Sequence, residues 1–119
     1  MVIHINNFMD LKEKKCIPCE NKNMPPLTVE EIAPLLTQVK EWTLSEDKNK
    51  ISKNWVFRDF LKAMNFVDQV ADVAEGEGHH PDIFISYNKV KLDLSTHSIG
   101  GLSENDFIVA AKIDSLWLI

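Results

Sequence analysis

Residues 83–97, Ile-Phe-Ile-Ser-Tyr-Asn-Lys-Val-Lys-Leu-Asp-Leu-Ser-Thr-His, decide the fold class of this chain. Apolar side chains alternate with others over residues 83–87 and again over residues 90–96, and such alternation is typical of strands with one buried face. Asn88-Lys89 between the two runs predicts a tight reversal, so the runs form an antiparallel hairpin. On a regular second strand, His97 then points away from the buried face.

A long amphipathic helix is predicted before this hairpin, over residues 58–75. Its apolar residues recur at steps of three or four, a spacing far more typical of a buried helix face than of cofactor contacts. Gly76 and Gly78 favour an end to the helix, and Pro81 prevents its continuation. The helix therefore leads through a short loop into the first strand of the hairpin.

Two further helices are indicated by their first residues. Thr28 with Glu31, and Ser103 with Asp106, have the spacing of capping boxes, in which a hydroxyl and a carboxylate each accept a backbone N–H. Apolar residues at the staple positions accompany both boxes. We therefore expect one helix to begin at residue 28 and a last helix to begin at residue 103 and run close to the C-terminus.

Another hairpin is predicted between the first two helices, where two short extended runs, residues 42–45 and 51–57, flank a charged loop at residues 46–50. The element order becomes α-β-β-α-β-β-α. This order favours an α+β two-layer sandwich, with a four-stranded antiparallel sheet and helices packed on one face. The opposite face of the sheet is then either in water or an interface.

The composition excludes several classes of protein. The chain has 119 residues, which fits a single domain over residues 27–119 after a partly ordered lead-in, residues 1–26. A net charge of −5 argues against nucleic acid as a partner, and no apolar run approaches the roughly 20 residues of a membrane span. The first residues lack the pattern of a secretory signal, and Cys16 and Cys19 are typical of reduced thiols, so we expect a cytoplasmic protein.

Three of the four histidines flank the second hairpin. His79 and His80 precede its first strand, His97 ends its second strand, and Glu75 lies on the preceding helix within reach of the loop that carries the pair. Imidazole titrates near neutral pH, so one ring could accept a proton while another donates one. On spacing alone, surface or capping roles for the three histidines are equally open.

Metal binding is a third alternative for these residues. The adjacent His79 and His80 direct their side chains apart and lack the four-residue separation that places two imidazoles on one side of a zinc ion. Cys16 and Cys19 have no matching second pair and no βαβ context, which disfavours a metal site or a redox motif. The pattern therefore points away from a metal centre.

The histidines belong to a longer series of short motifs, in the order Glu75-x3-His79-His80-Pro81, Tyr87-Asn88-Lys89-Val90, Ser95-Thr96-His97, Gly101-Leu102-Ser103 and Asp106. In this order and spacing the motifs resemble the pterin-4a-carbinolamine dehydratase family, also called 4a-hydroxytetrahydrobiopterin dehydratases. The resemblance covers residues 27–119 and is most specific in residues 75–106. The earlier Cys16-x-Pro18-Cys19, followed by Pro-Pro-Leu27-Thr28, resembles bacterial members.

The resemblance implies a dehydratase that needs neither a cofactor nor a metal. Members of the family remove water from 4a-hydroxytetrahydropterin, which an aromatic amino acid hydroxylase leaves behind, and release quinonoid dihydropterin. The 4a-hydroxyl must be protonated to leave, and the proton on N5 must be withdrawn as the double bond forms. The implied partners are a pterin substrate, a functional link to such a hydroxylase, and further copies of the chain in a homodimer or homotetramer.

The family's site residues carry over position by position. His79 and His97 match the histidines that transfer protons, and His80 matches the histidine that holds and polarises the pterin. Three further residues match substrate-binding positions: Glu75, Pro81 and Asp106. As the third residue of its helix, Asp106 also fits a capping role.

Two positions depart from the family pattern. Gly78 stands where many relatives have an acidic residue, with Glu77 one position earlier, and Asn105 stands where many have arginine. Both departures concern substrate contacts, while the three histidines remain. A second function stays open for this fold, because family members in animals also serve as dimerisation cofactors of a transcription factor, a non-catalytic binding role.

Overall fold

The computed structural model describes residues 10–17 and 24–116. Within these residues three α-helices and four strands follow in the predicted order, at α1 Val29–Leu36, β1 Thr43–Leu44, β2 Ile51–Val56, α2 Phe60–Glu77, β3 Asp82–Ser86, β4 Lys89–Leu94 and α3 Glu104–Asp114. Two short 3-10 helices, Leu11–Glu13 and His97–Ile99, lie outside this series. The predicted α+β fold is confirmed.

The helices begin at polar residues that satisfy their first backbone N–H groups. The Thr28 hydroxyl accepts the Glu31 N–H at 3.2 Å, and the Glu31 carboxylate accepts the Thr28 N–H at 2.8 Å, as the predicted capping box requires. The carboxylate of Asp59 caps α2, and that of Asp106 accepts the Ser103 N–H at 3.0 Å to cap α3. These caps explain why each helix begins where it does.

Gly78 ends α2 in a left-handed conformation with φ of 66°, and its N–H donates to the carbonyl of Ala74. This backbone conformation favours glycine, because a side chain on an L-residue meets the neighbouring carbonyl there. The helix therefore runs through Gly76 and Glu77 before it ends, two residues beyond the predicted boundary. The turn leads directly into His79 and His80.

The four strands form one antiparallel sheet in the order β1-β2-β4-β3. Val90, Leu92 and Leu94 of β4 are buried beneath the helices, and α2 packs directly against this strand. Lys53 of β2 pairs with Leu92 and so lies on the same face, where its ammonium donates to Asp114 of α3 at 3.0 Å. The predicted layer of helices on one face of a four-stranded sheet is confirmed.

The opposite face of the sheet carries mainly polar side chains. Lys89 and Lys91 are exposed there, and Asp93 is buried because the Ser52 hydroxyl donates to it at 2.6 Å. Val56 and Phe84 add exposed apolar surface to the same face. This face is therefore mixed in character, with apolar side chains on either side of β4.

The reversal between β3 and β4 lies at Tyr87-Asn88, so the predicted position at Asn88-Lys89 is wrong by one residue. Tyr87 takes up the turn with a positive φ of 54°. The Asn88 side-chain amide donates to the carbonyl of Phe57, and the Phe57 N–H donates to the carbonyl of Asn88, each at 2.8 Å. These two bonds to the residue after β2 set the position of the turn. A local sequence pattern cannot predict a position that depends on so distant a partner.

The prediction that His97 ends the second strand is also wrong, because β4 ends at Leu94. Beyond it, the N–H of Thr96 donates to the carbonyl of Gly101 at 2.7 Å, and the chain between them forms the 3-10 helix that His97 begins. The Thr96 hydroxyl donates to the carboxylate of Asp106 at 2.8 Å. Beyond Leu94, hydrogen bonds to Gly101 and to the first turn of α3 therefore take the place of hydrogen bonds between strands.

Residues 10–17, here called the N-terminal strap, pack against α3. Leu11 belongs to the hydrophobic core, and Lys14 forms an ion pair of 2.7 Å with Glu104. Of the predicted lead-in, residues 1–26, the structure describes the strap and residues 24–26. Cys19 lies outside the described residues. None of the described helices combines the length and apolar character that crossing a membrane requires.

Candidate active site

A pocket of about 510 Å³ opens between the loop after α2 and the segment after β4. All three predicted histidines, His79, His80 and His97, line it. The N-terminal strap contributes Cys16 and Ile17 to another part of its wall. The fold thus brings to one cavity three imidazoles that come from two separate segments of the chain.

His79 is held by a buried carboxylate. Its Nε2 lies 2.6 Å from Oδ1 of Asp106, whose exposed fraction is 0%. The other carboxylate oxygen, Oδ2, accepts the Thr96 hydroxyl at 2.8 Å and the Ser103 N–H at 3.0 Å. A carboxylate buried to this degree is tolerated because both of its oxygens are hydrogen-bonded.

This contact decides which nitrogen of His79 can accept a proton. A carboxylate accepts the N–H of Nε2, so Nδ1 is the unprotonated nitrogen of the neutral ring. When Nδ1 takes up a proton, the negative charge of Asp106 stabilises the imidazolium that forms. The pair has the arrangement of a general base with its orienting carboxylate.

His80 has a different partner. Its Nε2 lies 2.6 Å from Oε2 of Glu75, and both side chains are largely exposed. Even a charged contact between exposed side chains contributes little to stability, about 0–1 kcal/mol, so the effect of this contact is to orient the ring. Glu75 reaches the site through His80, and Pro81, next in the chain, is buried.

His97 is exposed at the first position of its 3-10 helix, beyond the end of β4. Of the six residues predicted for the site, the three histidines line the pocket. Asp106 and Glu75 each contact one of these histidines. The arrangement provides imidazoles in both a shielded and a solvent-exposed setting around one cavity.

A protein-family model described as Pterin 4 alpha carbinolamine dehydratase matches residues 25–116. The chain belongs to this family. The matched range contains all six predicted site residues, whereas the N-terminal strap lies before it.

Two relatives show how widely the family is spread. Pterin-4-alpha-carbinolamine dehydratase 2, mitochondrial, of Arabidopsis thaliana is 46% identical over 113 residues, or 92% of this chain, and this chain spans 60% of that protein's length. A Nitrosomonas eutropha protein with the provisional name pterin-4-alpha-carbinolamine dehydratase is 46% identical over 94% of this chain and 97% of its own. Since the Arabidopsis name is that of a mitochondrial protein, the cytoplasmic location expected here stays a prediction.

Solved structures confirm the fold of the dehydratase family. A structure described as a transcriptional coactivator/pterin dehydratase from Brucella melitensis is 34% identical and superimposes with a TM-score of 0.72, over 76% of this chain and 96% of that one. A pterin dehydratase-like protein described as a RuBisCO assembly factor in the alpha-carboxysome is 22% identical, with a TM-score of 0.55 over 64% of this chain and 88% of that one. At this identity the second likeness shows the fold alone.

Glu77 lies beside Gly78, where many family members have an acidic residue, but its carboxylate is engaged elsewhere. Oε1 accepts the backbone N–H of Cys16 at 2.8 Å, and Oε2 accepts the ammonium of Lys112 at 2.6 Å. Although burial opposes ionisation, the bonds from Lys112 and Cys16 and the charge of Lys112 outweigh it and lower the pKa of Glu77. Glu77 is therefore a fixed anion that joins α2, α3 and the N-terminal strap.

The Cys16 thiol lines the pocket but is not activated. Burial, followed by the charge and hydrogen bonding of the neighbouring Glu77 carboxylate, raises the pKa of Cys16 to about 12. A thiol is nucleophilic as the thiolate, so this environment keeps Cys16 unreactive at neutral pH. Among residues 10–17 and 24–116, moreover, no three His, Cys, Asp or Glu side chains converge as metal ligands would.

Sequence reasoning did not find the contribution of the N-terminal strap to the pocket. Cys16 and Ile17 lie 61 and 88 residues from their partners Glu77 and Asn105. No local pattern links segments so far apart. The one available signal was Asn105 itself, a departure from the family pattern directly before Asp106.

Proposed function

We propose that this member of the family dehydrates 4a-hydroxytetrahydropterin to quinonoid dihydropterin by histidine acid–base catalysis. The proposal rests on one observation: three imidazoles line a single pocket, and one of them is bonded to a fully buried carboxylate. The chemistry requires a base for the N5 proton and an acid for the 4a-hydroxyl. Groups that titrate near neutral pH can serve both purposes.

His79 is the base in this proposal. Its Nε2–H donates to Asp106, so Nδ1 is free of a proton and accepts the one from N5 of the pterin. The N5–H electron pair then forms the double bond between N5 and C4a. Asp106 is a positioning residue, because it contacts His79 and is itself shielded from the pocket.

His97 is the acid. As an imidazolium it donates a proton to the 4a-hydroxyl, the bond between C4a and oxygen breaks, and water leaves. Over the whole reaction one proton moves to His79 and one leaves His97, so the pair must be reset through solvent. The exposure of His97 favours rapid exchange of its proton with water.

His80 holds the pterin, and Glu75 and Pro81 support that contact. The Glu75 carboxylate, 2.6 Å from Nε2, orients the His80 ring. Pro81 restricts the backbone on the other side of His80. His80 is the substrate-binding residue in this proposal, and Glu75 and Pro81 are positioning residues that act through it. Neither a metal nor a cofactor takes part.

The cellular setting follows from the chemistry of the substrate. An aromatic amino acid hydroxylase generates the 4a-hydroxytetrahydropterin, and the dihydropterin product is recycled by reduction. We place the protein in the cytoplasm, with residues 27–119 as its dehydratase-like domain. Four exposed apolar side chains, Val56, Phe60, Leu61 and Phe84, support assembly into a homodimer or homotetramer.

The direct test uses purified protein and freshly generated 4a-hydroxytetrahydropterin, with the ultraviolet absorbance of the substrate followed over time. We expect the decay to accelerate well beyond the spontaneous rate. His79→Ala and His97→Ala should each abolish most of this acceleration, while His4→Ala, outside the matched range, should not. An unchanged decay at stoichiometric protein would refute the activity.

A second candidate function is a non-catalytic binding module. It is supported by a neighbour of the same fold that is described as a transcriptional coactivator/pterin dehydratase. The two functions separate in the His79→Ala and His97→Ala variants. Dehydration should collapse in both variants, whereas binding of a protein partner would survive.

A further inference from the structure

The N-terminal strap is bound to the rest of the protein at the edge of the pocket. Asn105, with an exposed fraction of 3%, accepts the Ile17 N–H through Oδ1 at 3.1 Å and donates from Nδ2 to the Ile17 carbonyl at 2.6 Å. One side-chain amide thus pairs with both backbone groups of one residue. Because a buried amide without partners is costly, this pairing favours a single position of the strap.

A second anchor holds the preceding residue of the strap. The Cys16 N–H donates to Glu77, whose other oxygen is bound by Lys112. Glu77 lies two residues before His79, and Asn105 lies directly before Asp106. The strap is therefore fastened to the same two segments that supply the proposed base and its carboxylate.

The strap presents one apolar side chain to the pocket. Ile17 lines the cavity together with the three histidines, and its exposed fraction is 63%. It is the one large aliphatic side chain among the described lining residues, since the others are histidines, small residues and polar residues. A pterin ring has polar edges and flat, weakly polar faces. Among the lining residues, Ile17 is the one suited to pack against such a face of the ring.

We propose that Ile17 is a substrate-binding residue that packs on the flat face of the bound pterin, and that Asn105 is a positioning residue that holds it there. This inference rests on the proposed function, because it takes the ligand of the pocket to be a pterin. In this inference, residues that precede the family-matched range form one wall of the histidine site. Binding would remove an exposed isoleucine side chain from water, which is favourable.

The test measures substrate contact at Ile17 directly. In Ile17→Ala we expect KM for the 4a-hydroxytetrahydropterin, and Kd for the unreactive probe 7,8-dihydrobiopterin, to rise by roughly 3- to 10-fold with kcat preserved. Ile17→Leu keeps the apolar contact and should remain within about 2-fold of wild type. Val29→Ala, another exposed β-branched residue at the start of α1, is the matched control and should change neither constant.

The role of Asn105 is tested by a double-mutant cycle. Asn105→Ala should raise KM and Kd about as much as Ile17→Ala, and the double variant should add less than about 2-fold to either, because both changes remove one contact. A purely structural role would lower thermal stability without this shared effect on binding. Independent, multiplicative effects of the two changes would refute the positioning role.

The result also separates this inference from the proposed function. A wild-type Kd for 7,8-dihydrobiopterin in Ile17→Ala would overturn the inference even if the protein dehydrates its substrate. Absence of dehydration with tight, Ile17-dependent binding of the probe would overturn the proposed function and leave the contact standing. A wild-type protein that neither accelerates dehydration nor binds 7,8-dihydrobiopterin would refute both.

Discussion

Oδ1 of Asp106 lies 2.6 Å from Nε2 of His79, and the other oxygen of the same carboxylate accepts the Ser103 N–H that begins α3. One buried side chain therefore caps a helix and orients an imidazole at the pocket. An aspartate at this helix position could serve the helix cap, the pocket or both. Here both follow from the two oxygens of one carboxylate.

Asp106→Asn should separate charge from capping. Asparagine can still accept the Ser103 N–H, but it cannot stabilise an imidazolium at His79 as a carboxylate does. We expect kcat for dehydration to fall by about 100-fold or more, with a loss of unfolding free energy no greater than about 2 kcal/mol. Steady-state kinetics and urea denaturation of the same preparation measure the two effects.

The matched control for this change is Asp93→Asn. Asp93 is also buried, but it contacts Ser52 of β2 and Lys50 just before that strand, and it lies outside the pocket lining. The Asp93→Asn variant should be less stable than wild type but keep the wild-type kcat. A kcat of Asp106→Asn close to that of wild type would contradict the role of the carboxylate in proton transfer.

Lys112→Met should destabilise the fold through Glu77. The Glu77 and Lys112 side chains are 8% and 20% exposed, so removal of the ammonium leaves a shielded carboxylate without its cation. We expect a loss of about 2 kcal/mol in urea denaturation. Lys14→Met, which breaks the more exposed pair with Glu104, should cost less than about 1 kcal/mol. Equal losses would show that burial of the pair has no energetic consequence.

The same pair predicts the response of stability to acid. The pKa of Glu77 is lowered in the folded protein from its ordinary value of 4.5, so its contribution is complete above that pH and is lost as the pH falls through the lowered value. Unfolding free energy measured between pH 6 and pH 3 should therefore decline less steeply in Glu77→Gln than in wild type. Parallel pH profiles for the two proteins would contradict this account.

Gly78→Ala and Gly76→Ala should have opposite effects. Gly78 has a positive φ of 66°, and a Cβ there would meet no atom beyond the adjoining backbone, so the cost is backbone strain of about 1 kcal/mol. Gly76 lies within α2, and a Cβ there also meets no atom, so alanine should stabilise the protein by about 0.5–1 kcal/mol. Thermal unfolding of both variants tests the signs. A stabilised Gly78→Ala would show that the left-handed turn is not required.

The Cys16 thiol should react slowly. With its pKa raised to about 12, very little of it is thiolate at pH 8. In a Cys19→Ser background, we expect the reaction with a disulfide reagent to be at least about 100-fold slower in the native protein than in urea. Cys16→Ser in the same background has no cysteine and gives the background rate of the assay. A native rate similar to that in urea would contradict the burial of the thiol.

Much of the architecture could be predicted because its causes are local. Thr28 with Glu31 and Ser103 with Asp106 carry their capping partners within four residues, and the apolar period of α2 needs no distant contact. The turn at Tyr87 and the end of β4 were misplaced for the opposite reason. Asn88 bonds to Phe57, and Thr96 bonds to the start of α3, so distant partners set both boundaries.

The amino-acid sequence by itself determined the helices, the two hairpins and the histidines that the family motif marks, since these depend on periodicity, caps and spacing along the chain. Only the tertiary structure decided that Asp106 bonds His79 and that Ile17 joins the pocket wall. Those contacts join residues from separate elements or hold a segment from the far end of the chain. These contacts form when the helices pack on the sheet, because packing brings the partners within bonding distance.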